Sequence, residues 1–358
     1  MSRLAIVLGA VGLAVLAPMP VQAQDWTRRE FPLAPPNARS NFVAPYFDGF
    51  YQNDDGTYTL SFGFMNRNDE AVIEIPLGPD NFIEPAQYDG AQPTSFPVVS
   101  YSGFGGPRER GVFGVVVPAD FEGDVWWTLT TDGYTTRVPG RLRGRFQGVI
   151  GFEGAYALST TTMAEGSLRP LIQFSEDGPA VWGLPGIEHP EGFTTSVGEP
   201  IEVRFQAFDR GERELGDVNM TLWKYQGPVG GVIAFESLVE APAGGAGRGG
   251  RGGGGPGGFD LSQLPDGVTI DDLPPEILAR LGAGRGGGPA GPGPVDIGQV
   301  VRIPSEGPNA NLGHFRATFD TPGEYVIRVR VDNFTSGDSA PGNQCCWTNG
   351  YVEVSVTP

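Results

Sequence analysis

Short runs of apolar residues, alternating or continuous, recur along the chain from Pro45 onward, apart from two stretches rich in proline or glycine. The strongest local pattern is Val125–Thr131, then Asp132-Gly133, then Tyr134–Val138. It predicts a hairpin, because both central residues of a type I′ turn adopt positive φ and Asp-Gly suits that requirement. Repetition of such short strands indicates an all-β protein.

A second hairpin is predicted from Tyr46–Tyr51 and Thr57–Asn66, joined by the turn residues 53–56. Two more strands of this region are predicted at Ala71–Pro76 and Gly111–Pro118. Several short strands with turn residues between them are typical of a β-sandwich. We therefore expect residues 40–155 to form an N-terminal β-sandwich domain.

A connector is predicted for residues 156–198, where Pro170, Pro179, Pro185 and Pro190 interrupt any long element. Residues 199–358 are expected to form a second β-sandwich domain. Its predicted strands are Ile201–Phe208, Thr221–Tyr225, Gly231–Phe235, Phe315–Phe319, Gly323–Val331 and Tyr351–Val356.

The second domain contains a long insertion, residues 241–298, with 20 Gly and 8 Pro in 58 residues. Such a composition buries too little apolar surface to offset backbone entropy, so we expect a flexible loop. A short helix is predicted inside it at Asp271–Gly282, which has an acidic start, proline in the first turn and a glycine stop. Its apolar residues would dock on the sandwich or on a partner protein; they are Leu273, Ile277, Leu278 and Leu281.

Residues 1–23 have the features of a signal peptide: Arg3, the apolar run Leu4–Ala17, and a small residue, Ala23, at the end of a cleavage site. The run is short for a bilayer span, and no later segment is apolar enough for one. Residues 24–39 are expected to be an extended lead-in. The sequence thus predicts a periplasmic or secreted protein without a transmembrane segment after signal removal.

The composition narrows the class of protein. The chain has 358 residues, 42 acidic and 24 basic side chains and a net charge of −18. Its 56 Gly and 33 Pro argue against a helical bundle, and its 39% hydrophobic residues argue against full disorder. The excess of acid argues against nucleic acid as a partner. Lys224 is the only lysine, which we interpret as composition bias.

Three stretches of the second domain carry a resemblance. They are residues 197–200 (VGEP), residues 223–235 with Trp223-Lys224-Tyr225 at their start, and residues 319–329 (FDTPGEYVIRV). Together they resemble the PKD-type immunoglobulin-like modules of bacterial exported proteins. The resemblance implies an immunoglobulin-like sandwich serving as a spacer, adhesive unit or binding accessory. The N-terminal domain resembles no family, and an immunoglobulin-like sandwich is expected there from its strand pattern.

Cys345 and Cys346 are adjacent, in a loop before the last strand. Exported cysteines tend to oxidise, but neighbouring Cα atoms lie about 3.8 Å apart, below the usual disulfide range. The pair is therefore a candidate for a strained vicinal disulfide; free or intermolecularly paired thiols and a metal site are the alternatives. A loop stiffened by the pair is favoured over redox catalysis.

An acidic loop is a candidate cation site, with calcium as the ion considered; its carboxylates are Asp209, Glu212, Glu214 and Asp217. Solvated loop charge is the favoured alternative, and no cofactor is predicted. Aromatic residues are candidates for sugar stacking, although strand alternation should place about half of them in a core; they are Tyr46, Phe47, Phe50, Tyr51, Trp126 and Trp127.

These features favour an exported, non-enzymatic binding or structural protein whose partner is a protein or a glycan at the cell envelope. One alternative is an exported hydrolase acting on glycans. The other is a thiol redox or metal-handling protein that uses Cys345 and Cys346. No serine-hydrolase elbow, zinc-protease motif or phosphate-binding loop occurs in the sequence.

Overall fold

A computed structural model of the protein describes residues 42–68, 71–98, 108–143, 168–210, 216–239, 293–333 and 347–358. All of the described residues belong to one compact unit, Arg39–Pro358. The predicted signal peptide, the lead-in, the Asp271–Gly282 helix and the cysteine pair lie outside the described residues.

Residues 42–143 are here called the N-terminal part, and their described stretches contain eight strands. These are β1 (Val43–Gln52), β2 (Tyr58–Asn66), β3 (Ile73–Glu74), β4 (Asn81–Glu84), β5 (Ser95–Phe96), β6 (Glu109–Val117), β7 (Val125–Thr131) and β8 (Tyr134–Gly140). They form the sheets β1-β2-β6 and β4-β7-β8 and the pair β3-β5. The sheets share one apolar core that includes Leu60, Phe62, Phe113 and Trp127.

Residues 168–358, here called the C-terminal part, contain eleven described strands. These are β9 (Leu171–Gln173), β10 (Ile187–Glu188), β11 (Phe193–Ser196), β12 (Ile201–Phe208), β13 (Val218–Gln226), β14 (Ile233–Ser237), β15 (Gly293–Val295), β16 (Val300–Ile303), β17 (Leu312–Phe319), β18 (Gly323–Asp332) and β19 (Trp347–Thr357).

Two sheets of the C-terminal part enclose a second core. The six-stranded sheet has the order β10-β19-β18-β13-β16, with β11 also pairing with β19, and the five-stranded sheet has the order β15-β14-β17-β12-β9. Alternate residues of both sheets point into the core, for example Val203 and Phe205 from β12 and Ile327 and Val329 from β18. This period of two is what the alternating sequence pattern requires.

The all-β prediction is confirmed, and every predicted strand is present. The turn residues Asp132 and Gly133 have φ values of 51° and 77°, as a type I′ hairpin needs. Among the described residues the one helical element is a 3-10 turn at Ala86–Tyr88, and no helix there is long and apolar enough to cross a membrane. The division into two sandwich domains stays a prediction.

Two regions for which no strand was predicted, the connector and the insertion, contain short strands that join the sheets. Within the predicted connector, β10 and β11 run parallel to β19 and extend the six-stranded sheet. Within the last residues of the predicted insertion, β15 pairs with β14 and buries Val295 in the core. Each of these strands has two to four residues, which is too short for a recognisable sequence pattern. They form because the edge of an existing sheet supplies their hydrogen-bond partners.

Candidate functional site

The central strands of the six-stranded sheet, β13 and β18, are covered on both faces over most of their length. One face carries Ile327 and Val329 into the core of the C-terminal part, and the opposite face carries Arg328 and Arg330 against the N-terminal part. We call this second contact the seam. It explains why β13 is buried along nearly its whole length although polar and apolar residues alternate in it.

Arg328 lies at the centre of the seam and is only 2% exposed. Its Nε donates to Oδ1 of Asn349 (2.9 Å), its Nη2 donates to the carbonyl of Gly111 (3.1 Å), and its Nη1 lies 3.7 Å from Glu109. Burial lowers the pKa of Arg328, while the negative charge of Glu109 opposes the shift. A guanidinium is not deprotonated in proteins, so the seam holds a permanent buried charge that polar partners must satisfy.

Gly111 is a second residue of the N-terminal part that contacts the C-terminal part across the seam. Its carbonyl also accepts a hydrogen bond from Nε1 of Trp347 (3.0 Å). Its φ is +52°, and a Cβ atom built there would lie 2.4 Å from Cζ2 of Trp347. Glycine is therefore required both by the backbone conformation and by the close approach of the indole ring.

Lys224 joins the two parts at another point of the seam, where it is only 4% exposed. Its Nζ donates to Oε1 of Glu74 in β3, to the carbonyl of Pro228 (2.6 Å) and to the carbonyl of Gly231 (2.7 Å). Glu74 also accepts a hydrogen bond from the backbone N–H of Gly230. All three donors of the ammonium group are thus used, and its charge is balanced by one carboxylate.

A cavity of about 190 Å³ opens beside the seam. Tyr225, Tyr351, Glu188 and Glu353 are among the residues that line it. The ring centroids of the two tyrosines are 5.1 Å apart. Burial raises the pKa of both tyrosines, so their hydroxyl groups stay protonated, and that of Tyr225 donates to the carbonyl of Ala91. The cavity is smaller than the roughly 300–1,000 Å³ of typical small-molecule sites.

Another cavity, of about 260 Å³, lies on the five-stranded sheet between Arg204, His314, Leu238 and Leu312. Nε of Arg204 donates to Nε2 of His314 (3.2 Å), which requires that nitrogen to be unprotonated. Burial and the charge of Arg204 lower the pKa of His314, while Glu202 opposes the shift. This histidine is therefore neutral near pH 7 and accepts a hydrogen bond from its neighbour.

Four aromatic side chains outside the two apolar cores each have an arginine side chain over the ring. Phe50 and Trp127 lie in the core and Phe47 packs against it, which leaves Tyr46, Tyr51 and Trp126 of the predicted sugar-stacking residues. The guanidinium-to-ring distances are 4.5 Å for Arg108 over Tyr46, 3.8 Å for Arg169 over Tyr51, 4.1 Å for Arg137 over Trp126 and 4.2 Å for Arg210 over Trp182. A sugar would have to displace an arginine to stack on these rings.

The two described residues of the predicted cation loop already have protein partners. Asp209 accepts hydrogen bonds from the N–H of Gly216 (3.0 Å) and from Nδ2 of Asn333 (2.6 Å). Asp217 pairs with Arg302 (2.5 Å) and accepts from Ser305; these contacts lower its pKa although burial alone would raise it. No group of three metal-ligating side chains occurs within the described ranges.

The remaining predicted site residues lie outside the described residues. They are Glu212 and Glu214 of the cation loop, Cys345 and Cys346, and the helix residues Leu273, Ile277, Leu278 and Leu281. The cation site, the vicinal disulfide and the docking helix therefore stay predictions. The seam residues Arg328, Glu109 and Gly111 were not anticipated from the sequence; the one signal was that Lys224 is the only lysine.

No protein-family model and no curated protein matches the chain. Solved structures with some likeness include the D0-D1 domain of intimin, at 8% identity and a TM-score of 0.21, covering 88% of this chain and 98% of that one. A chimeric titin Z1Z2 carrying a peptide from decorin has 10% identity and a TM-score of 0.17, covering 88% and 97%. The adhesin InvE of Yersinia pseudotuberculosis has 9% identity and a TM-score of 0.17, covering 87% and 58%. Likenesses at this level carry no argument about fold or function.

Proposed function

We propose that the protein is an exported, non-enzymatic binding or structural protein of the cell envelope or extracellular space, whose partner is a protein or a glycan. In this proposal residues 40–155 and 199–358 are two immunoglobulin-like sandwiches, the second of the PKD type. The signal-like segment at residues 1–23 supports export.

The observation that carries the proposal is the seam. Charged side chains there form ion pairs between the two parts. Lys224 pairs with Glu74, and Arg330 pairs with Glu109 at 3.1 Å. These contacts link strands far apart in sequence through largely buried, hydrogen-bonded ion pairs, a rigid arrangement suited to a spacer or a binding platform. The cavity left beside the seam is lined by protonated tyrosines rather than by an activated nucleophile.

Co-sedimentation tests this role. Purified residues 24–358 should sediment with isolated cell-envelope material and release no soluble sugar or peptide from it over hours. Pretreating the envelope with a protease or with a glycan-degrading enzyme then identifies the class of partner. Saturable binding without product supports the proposal. Absence of binding, or steady product release, overturns it.

The hydrolase alternative rests on one feature: Glu188 and Glu353 line the same cavity beside Tyr351. A pair of carboxylates is what glycoside hydrolysis uses. If product release is observed, Glu188→Gln and Glu353→Gln should each abolish it, whereas Glu324→Gln on an exposed strand position should not. Without such loss, the product comes from another source.

The cysteine pair is the basis of the thiol alternative, and one intact-mass measurement addresses both it and export. We expect exported protein to begin at Gln24 and to weigh two hydrogens less than its reduced form, because Cys345 and Cys346 would be joined. Mild reductant should open the strained ring readily. A retained Met1 would contradict export, and two alkylatable thiols in freshly isolated protein would contradict the disulfide.

A further inference from the structure

Arg169 and Arg210 lie opposite each other at the end of a strand pair. β12 and β9 are antiparallel with Phe208 opposite Leu171, and continuing that register by two residues brings Arg210 opposite Arg169. Nε of Arg210 donates to the carbonyl of Arg169 (2.7 Å), which confirms the juxtaposition. Like charges directly opposite on neighbouring strands destabilise a sheet, so this arrangement needs a compensating partner.

The described residues supply no carboxylate for that purpose. Every other arginine in the described ranges, Arg67 excepted, forms an ion pair with Asp or Glu, whereas Arg169 and Arg210 form none. Burial and the charge of Arg169 lower the pKa of Arg210, and Asp54, the acid that opposes this shift, is not in ion-pair contact with it. Two neighbouring arginines without an ion-pair partner among the described residues are unexpected in a chain with net charge −18.

Aromatic rings hold both guanidinium groups in place. Arg169 lies 3.8 Å above the ring of Tyr51 at the end of β1, and Arg210 lies 4.2 Å above the ring of Trp182, which is 42% exposed. Stacking fixes the plane of a guanidinium while leaving its edge donors free. The edge of Arg169 and both terminal nitrogens of Arg210 have no acceptor among the described residues.

We propose that Arg169 and Arg210 form a binding site for an external oxyanion, a carboxylate, sulfate or phosphate group carried by a ligand. Two neighbouring guanidinium groups held against aromatic rings offer several N–H donors to the oxygens of such a group, and charge-assisted hydrogen bonds of this kind are the strong ones. The proposal does not depend on the role proposed above.

Equilibrium dialysis with radiolabelled sulfate, phosphate and acetate tests this site directly, at constant ionic strength adjusted with sodium chloride. We expect saturable binding of about one anion per chain for at least one of the three. Comparison of the three anions distinguishes a planar carboxylate ligand from a tetrahedral one. Arg169→Gln and Arg210→Gln should each weaken binding about tenfold or more, since each removes one of two charges and its donors.

Three further variants make the test specific. Arg67→Gln removes the third arginine that has no ion pair within the described ranges and should leave affinity unchanged. Arg210→Lys keeps the charge but loses the fork and should still bind several-fold more weakly. Trp182→Leu removes only the supporting ring and should weaken binding while near-ultraviolet circular dichroism shows that the fold persists. No saturable binding of any anion, or equal loss in Arg67→Gln, overturns the proposal.

Discussion

Replacing Lys224 with Met should lower the free energy of unfolding by about 3–5 kcal/mol, the usual cost of removing one partner from a buried ion pair. The substitution leaves the carboxylate of Glu74 without its cation, and it leaves the carbonyls of Pro228 and Gly231 without a donor. Chemical denaturation followed by circular dichroism measures the change. In the double variant Glu74→Gln/Lys224→Met the loss should be smaller than the sum of the single losses, because the orphaned charge is gone.

Lys224→Arg should also be destabilising, by about 2 kcal/mol or more, since a larger planar group must replace a compact one in a packed site. The space is tight: a Cβ added at Gly227 would lie 2.9 Å from Cε of Lys224. The three acceptors surround a point charge, an arrangement that an ammonium group satisfies and a flat fork does not. Arg302→Lys on the exposed side of β16 is the control and should change stability by less than about 0.5 kcal/mol. A Lys224→Arg variant as stable as wild type would refute this account.

This expectation changes how the only lysine is interpreted. From the sequence, a chain whose other long basic side chains are all arginine indicates composition bias. The structure offers a physical reason for the exception, because position 224 has three acceptors arranged around one nitrogen. If Lys224→Arg is destabilising as expected, composition bias explains the many arginines, and the packing of the site explains the one lysine.

The strands could be predicted from local sequence, whereas the seam could not. Apolar residues at every second position locate β12 and β18, and Asp132-Gly133 locates the β7–β8 turn. Such alternation is equally typical of a sheet with one solvated face. Arg328 on the second face of β18 is buried because the N-terminal part covers it.

The partners of the seam are too distant in sequence for a local pattern to reveal them. Arg328 contacts the carbonyl of Gly111, 217 positions earlier. A glycine followed by a valine-rich apolar run, as at Gly111, predicts a strand but does not indicate which indole will pack against it. The candidate residues predicted from the sequence were instead those with unusual local composition, many of which lie outside the described residues.

Gly111→Ala is expected to be among the most damaging single-methyl additions in the protein. The residue has φ +52°, where a side chain costs about 1–2 kcal/mol. The added methyl group would lie 2.4 Å from Cζ2 of Trp347, so the indole or the strand must move. Trp347 is 4% exposed and held by its hydrogen bond to Gly111, and overpacking of this kind costs a further 1–3 kcal/mol or so. We expect a total loss of about 2–5 kcal/mol on denaturation.

Gly56→Ala separates the two causes of that loss. Gly56 has φ +84° but no atom within 4 Å of a built Cβ, so only the conformational cost of about 1–2 kcal/mol should appear. A cycle with Trp347→Leu isolates the collision: in that background Gly111→Ala should cost no more than Gly56→Ala does in the wild type. If Gly111→Ala costs the same with and without the indole, the ring does not press on Gly111, and the close packing described for the seam is refuted at that point.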